Sequence, residues 1–146
     1  MCELHKGRLA DILSSGEQWY LHYQLINRYK PADYWVGGTD WENEGEWIWE
    51  GSQKNVTYTY WLPGQPNNGR SPFVNPTSGN AEFQNCLSLR YQDNFRWVDS
   101  VCAEHLHYIC EKQASHQVTA LPYYAYTHTT PTFLVYTTTT SAPTGP

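Results

Sequence analysis

Hydrophobic positions change period along this chain of 146 residues. In Trp19 to Tyr29, Leu21 with Leu25 and Tyr23 with Ile26 recur at helical spacing, which predicts an amphipathic helix. Its start lies in Ser14-Ser15-Gly16-Glu17-Gln18, where Ser14 with Glu17, or Ser15 with Gln18, fits a capping box. Pro31 ends it, because a proline disfavours helical geometry in the residue before it. Residues 7 to 12 read as the exit of an earlier helix, of which only a last turn fits ahead of Gly7, followed by a short strand.

From Tyr34 the pattern turns to short strands and turns. Tyr34-Trp35-Val36 reads as a strand stopped by Gly37-Gly38. Glu46-Trp47-Ile48-Trp49-Glu50 alternates in part between Gly45 and Gly51, and Thr57-Tyr58-Thr59-Tyr60-Trp61 is rich in strand-prone side chains. Cys86-Leu87-Ser88-Leu89, Arg96-Trp97-Val98 and Leu106 to Glu111 complete the predicted strands. Between them runs a long polar segment, Gly64 to Asn85, rich in Pro, Gly, Asn and Ser; loops of that length in a compact domain usually carry function. After Gln113 the composition shifts to Thr and Pro with no charged residue. The division is therefore a domain over residues 1–113 and a Thr/Pro-rich tail over 114–146, which its composition predicts to be disordered, with O-glycosylation, a strand built on its Tyr, Leu and Val, or pairing to another chain as further readings.

Composition narrows the chemistry. Seven Trp and twelve Tyr supply large apolar area, most of it expected in the core. A net charge of −5 leaves no basic stripe to displace counterions from phosphate, so nucleic acid is not an expected partner. No apolar run is long enough to span a bilayer, and Met1-Cys2-Glu3-Leu4-His5 is not a secretory signal; a signal has been removed, or the chain begins inside a longer product. Four cysteines without a C-x-x-C pair suggest two disulfides in an oxidising, extracellular setting, with three pairings open. In the chain-entropy treatment, closing Cys86 to Cys102 contributes about 3 kcal/mol and closing Cys2 to Cys110 roughly 4.7 kcal/mol.

The most telling stretch is Trp61-Leu62-Pro63-Gly64-Gln65-Pro66-Asn67-Asn68. A proline flanked by two amide side chains is a candidate cis bond in a tight turn, able to aim both carbonyl oxygens at one point. A hard cation or a pair of sugar hydroxyls fits such a point.

Together these motifs resemble the C-type lectin-like domain over residues 2 to 112. The Trp35-Val36-Gly37-Gly38 run, Asp40 with Glu44-Gly45-Glu46-Trp47-Ile48-Trp49, the Trp61 to Asn68 loop, Asn85-Cys86, Trp97-Val98-Asp99, Cys102 and Tyr108-Ile109-Cys110-Glu111 follow that family's order and spacing. The style is similar to small secreted invertebrate, perlucin-like lectins. The resemblance implies an α+β fold of two helices and two small antiparallel sheets with a long irregular loop. It implies disulfides Cys2–Cys110 and Cys86–Cys102. Family domains also carry a strand and most of a helix ahead of the first of these cysteines, so this chain reads as N-terminally truncated, with a sheet edge left bare.

The resemblance further implies a calcium ion bridging protein and sugar hydroxyls. Carried over by position, Gln65 and Asn67 fill the loop pair, Gln84 stands where a Glu is usual, and Asp99 follows Val98, which stands where an Asn is usual. One formal carboxylate among these predicts weak calcium binding, toward the millimolar range; Glu82 in the long loop is a candidate to add a charge. Asp40 and Glu44, with Asn68, Gln84 and Asn85, match an auxiliary calcium site. The Gln-Pro-Asn triplet carries two amides, each both donor and acceptor, so the sugar preference stays open. Tyr91, Phe95 and Phe73 are candidates to pack a sugar ring, although packing within the fold is the stronger reading for each. Asn55-Val56-Thr57 is an N-glycosylation sequon.

Other constellations carry less. His105 and His107 share a face of a predicted strand without a third ligand, which fits two exposed histidines better than a metal pair. Glu42, Glu44 and Glu46 read as a solvated face rather than catalytic carboxylates, and no nucleophile elbow or phosphate loop is present, so an enzyme is not expected. The expected function is a secreted lectin that takes glycans or glycoproteins with Ca2+, in self or microbial recognition such as innate immunity, without a membrane span and able to form homo-oligomers. The alternative is a non-sugar module on the same scaffold, binding protein or mineral in an extracellular matrix; Gln84 and Val98 favour it, whereas Gln65-Pro66-Asn67 with Asp99 favours the lectin.

Overall fold

The computed structural model describes residues 2–69, 83–112 and 132–136. A single 3-10 turn, Cys2–His5, precedes a short strand β1 (Arg8–Leu9) and the helix α1 (Ser15–Arg28). Of the two capping boxes the sequence allows, the fold uses Ser14. Its Oγ accepts from the Glu17 N–H at 3.2 Å, and the Glu17 carboxylate accepts from the Leu13 N–H at 2.6 Å. The two helical pairs seen in the sequence separate on folding. Leu21 and Leu25 are buried with Gln18, whereas Tyr23 and Ile26 face solvent with Trp19.

Strand β2 (Tyr34–Thr39) is the hub, pairing antiparallel with β3 (Ile48–Trp49) and β5 (Cys86–Arg90) and parallel with β7 (His107–Lys112). It runs straight through Gly37 and Gly38, which the sequence reading took as its stop. The glycines are there for close approach. A Cβ on Gly38 meets the Leu87 side chain at 2.7 Å, and one on Gly37 meets the Leu9 and Ala10 carbonyls at 3.2 and 3.3 Å. Strand β4 (Lys54–Asn55) extends the sheet from β3, and β6 (Arg96–Ser100) pairs with β5 over five residues. The two small sheets expected are thus joined through β2 into one, and α1 is the one α-helix among the described residues.

Thr57 to Trp61, expected as a strand, makes only an isolated bridge between Trp61 and Trp97. Its β-prone residues serve packing instead. Trp49, Tyr58 and Trp61 meet the buried Trp97 ring edge-on, with centroids 5.6 to 5.7 Å apart. Gln18 links helix to sheet inside this core: its carbonyl accepts from the Trp97 indole at 2.8 Å and its amide donates to the Phe95 carbonyl at 3.3 Å. The disulfides are Cys2–Cys110 and Cys86–Cys102, as the resemblance implied.

Of the tail only residues 132–136 are among the described residues. Thr132–Tyr136 forms strand β8, antiparallel to β7 and in register from Tyr108↔Tyr136 to Lys112↔Thr132. Strands β1 and β2 share one edge of β7 and β8 takes the other, so the last described strand lies beyond the expected one at 106–111.

Candidate functional site

The site is built on Asp99 of β6, opposite Leu87 of β5 and 1 % exposed. The loop after Trp61 is tied to β6 by the Leu62 N–H to the Trp97 carbonyl at 2.9 Å, then folds back as the Gln65 N–H donates to the Leu62 carbonyl at 2.9 Å. The Gln65–Pro66 peptide is cis, as the sequence suggested. One Asp99 oxygen, Oδ2, then accepts from both the Asn67 and Asn68 N–H groups, at 2.9 and 2.5 Å. The other, Oδ1, is buried without a partner.

Gly69 shows how closely the rest gathers. Its N–H donates to Asn67 Oδ1 at 2.7 Å, and a Cβ added here lies 2.6 Å from Gln84 Oε1 and 2.8 Å from Asn67 Oδ1. The Asn67 and Gln84 amide oxygens therefore flank one point of backbone. On the other side stands Asp40 at the end of β2, 3 % exposed. Its N–H and the Thr39 hydroxyl both donate to the Asn85 carbonyl, at 3.3 and 2.7 Å, and its Oδ2 accepts from Gly45 N–H at 2.9 Å.

Among the described residues, buried side-chain oxygens without a hydrogen-bond donor include Asp40 Oδ1, Gln65 Oε1, Asn68 Oδ1, Asn85 Oδ1 and Asp99 Oδ1, beside Asp11 Oδ1 and Ser52 Oγ elsewhere in the fold; the first five concern the site. Each of these five belongs to a residue singled out from the sequence. An unsatisfied buried oxygen costs about 1–3 kcal/mol, so five along one loop and two strands are an expensive arrangement unless a cation answers them. Electrostatics agree. Burial, with the Asp99 charge adding to it, raises the Asp40 carboxyl above its ordinary value against the Gly45 N–H bond. Glu44, exposed on the following turn, is also raised, by desolvation first and then by Asp40 and Asp99.

Other expected residues fall elsewhere. Val98 is buried and has no side-chain oxygen to offer. Phe95 is 1 % exposed and packs on Tyr34, Tyr91 and His22, so it cannot stack on a sugar; Tyr91 lies half-exposed against it. Glu82 and Phe73 lie outside the described residues. His107 is on β7, half-buried against the Tyr34 ring, while His105 lies exposed before the strand. Asn55 is exposed on β4, and Glu42, Glu44 and Glu46 are exposed on the turn after β2. Among the described residues no group of three His, Cys, Asp or Glu side chains could hold a metal alone. Amide oxygens must therefore supply much of any shell. Trp41, not singled out from the sequence, is 69 % exposed next to Asp40 in the chain.

The profile of the family described as the lectin C-type domain matches residues 1–112. This chain is a member of the C-type lectin domain family. Perlucin from Haliotis laevigata is 34 % identical over 113 residues, covering 77 % of this chain and 65 % of perlucin. The perlucin-like protein of Mytilus galloprovincialis is 30 % identical, covering 75 % of this chain and 64 % of its own length, so the chain spans just under two thirds of either relative. Among solved structures, the carbohydrate-recognition domain of the mouse scavenger receptor C-type lectin superposes with a TM-score of 0.61 at 33 % identity, covering 76 % of this chain and 75 % of that one.

Proposed function

We propose that this C-type lectin domain works outside the cell as a calcium-dependent glycan-binding module, with binding rather than catalysis as its role. The observation that carries the reading is the set of five donorless buried oxygens on Asp40, Gln65, Asn68, Asn85 and Asp99. Hard cations take six to eight oxygens, and a carboxylate-poor, amide-rich shell suits weak calcium binding. Gln65, Asn67, Gln84 and Asp99 would hold the ion that meets sugar hydroxyls; Asp40, Glu44, Asn68 and Asn85 would hold an auxiliary one. Glu82 of the same loop is a further candidate ligand. Bound calcium supplies a positive centre that two vicinal hydroxyls can complete. The chain's own amides then donate to and accept from those hydroxyls.

Two disulfides and an exposed sequon at Asn55 support an extracellular setting. Among the described residues no helix is long and apolar enough to cross a membrane. The test is calorimetry with calcium, followed by a glycan array with and without chelator. Glycan signal that vanishes with chelator is expected; signal indifferent to chelator rejects the ion-bridged mechanism. A second reading, a module for protein or mineral on the same scaffold, draws on Val98 and on the shortage of carboxylates. Calcium binding with no glycan signal at all favours it.

A further inference from the structure

We propose that β8 is an exchangeable strand, and that its partner is a second copy of this chain. The edge of β7 from Tyr108 to Lys112 accepts Thr132–Tyr136 in an unbroken antiparallel register. A strand edge presents a row of unpaired backbone groups and takes whatever compatible strand is at hand. Thr132-Phe133-Leu134-Val135-Tyr136 is β-prone and uncharged, and Pro131 limits it at one end.

The connection decides how firmly β8 belongs to its own chain. Tight hairpins join their strands through two to five residues, and the turn then fixes the register. Here residues 113–131 separate β7 from β8, a connection far longer than the turns that fix a hairpin's register, so the register rests on the pairing of the strands themselves. Closing so long a connection raises the effective concentration of the chain's own strand only to about the millimolar range. A second copy at comparable concentration can therefore offer the same strand to the same edge with the same hydrogen bonds. Mutual exchange closes a two-fold dimer in which each copy carries its neighbour's β8.

Lys112 and Thr132 face each other in the register, and all four native cysteines are in disulfides, so thiols introduced there are the only free ones. Lys112→Cys and Thr132→Cys are made in separate chains, mixed at about 1 mM and treated with a short bis-maleimide. A cross-linked dimer joining position 112 of one chain to 132 of the other is expected. Its yield falls steeply on dilution before cross-linking and is lost when Leu134→Pro accompanies Thr132→Cys. The double variant Lys112→Cys/Thr132→Cys should cross-link within one chain at low concentration. Internal cross-links alone at every concentration overturn the proposal, as do a double variant that never cross-links and a dimer that survives Leu134→Pro.

Discussion

Asp99 divides its labour between two oxygens, and substitutions can separate them. An asparagine keeps one acceptor for the Asn67 and Asn68 N–H groups but removes the charge. Asp99→Asn should retain the fold and lose calcium-dependent glycan binding at least about tenfold, read by calorimetry and thermal melting. Asp99→Ala removes the acceptor as well and should cost a further 1–3 kcal/mol or so of stability. Asp40 has the opposite metal-free effect. Its folded carboxyl is raised, so the folded state holds a proton where the unfolded chain has released it. Stability without calcium should therefore fall as pH rises from the ordinary aspartate range, near 3.8, through the raised folded value. Calcium needs the ionised form, so the melting increment it gives should grow over that same window. Asp40→Asn should weaken both trends, and the raised Glu44 and Glu111 carboxyls should leave part of the first. Most of these residues were legible because motif order named them; their orphaned oxygens were not, since burial follows from distant strands. Phe95 is a ring that packs the fold, buried against His22 of α1, the stronger of the two roles its sequence left open.

At the scale of elements, local signals fared best where the determining contacts are near in sequence. The Ser14 cap and the Leu21–Leu25 spacing set α1, and Ser14→Ala should cost about 1 kcal/mol by chemical denaturation. Gly37 and Gly38 read as breakers because their cause is nonlocal: Leu87, Leu9 and Ala10 press against the backbone of β2. Gly38→Ala puts a Cβ 2.7 Å from Leu87 Cδ1 and should destabilise by about 1–3 kcal/mol, with partial rescue by Leu87→Val. Thr57 to Trp61 carries strand propensity that the Trp97 ring cluster overrides.

For the whole molecule, motif order gave the scaffold and its disulfides, while the pairing of β8 was out of reach, because no local pattern says which sheet edge a distant strand will meet. Cys2–Cys110 joins residues 108 apart in sequence; replacing both cysteines with Ala should cost about 2–5 kcal/mol in a denaturation curve. The Asp99 arrangement has a consequence at this scale too. The bend from Gln65 to Asn68 is held from inside by a carboxylate oxygen that no ion needs, so its outline should outlast chelation. On the proposed reading, grip and release then become a matter of local salt composition alone: cargo is let go within the lifetime of the ion, and the empty hand is ready to close again without refolding.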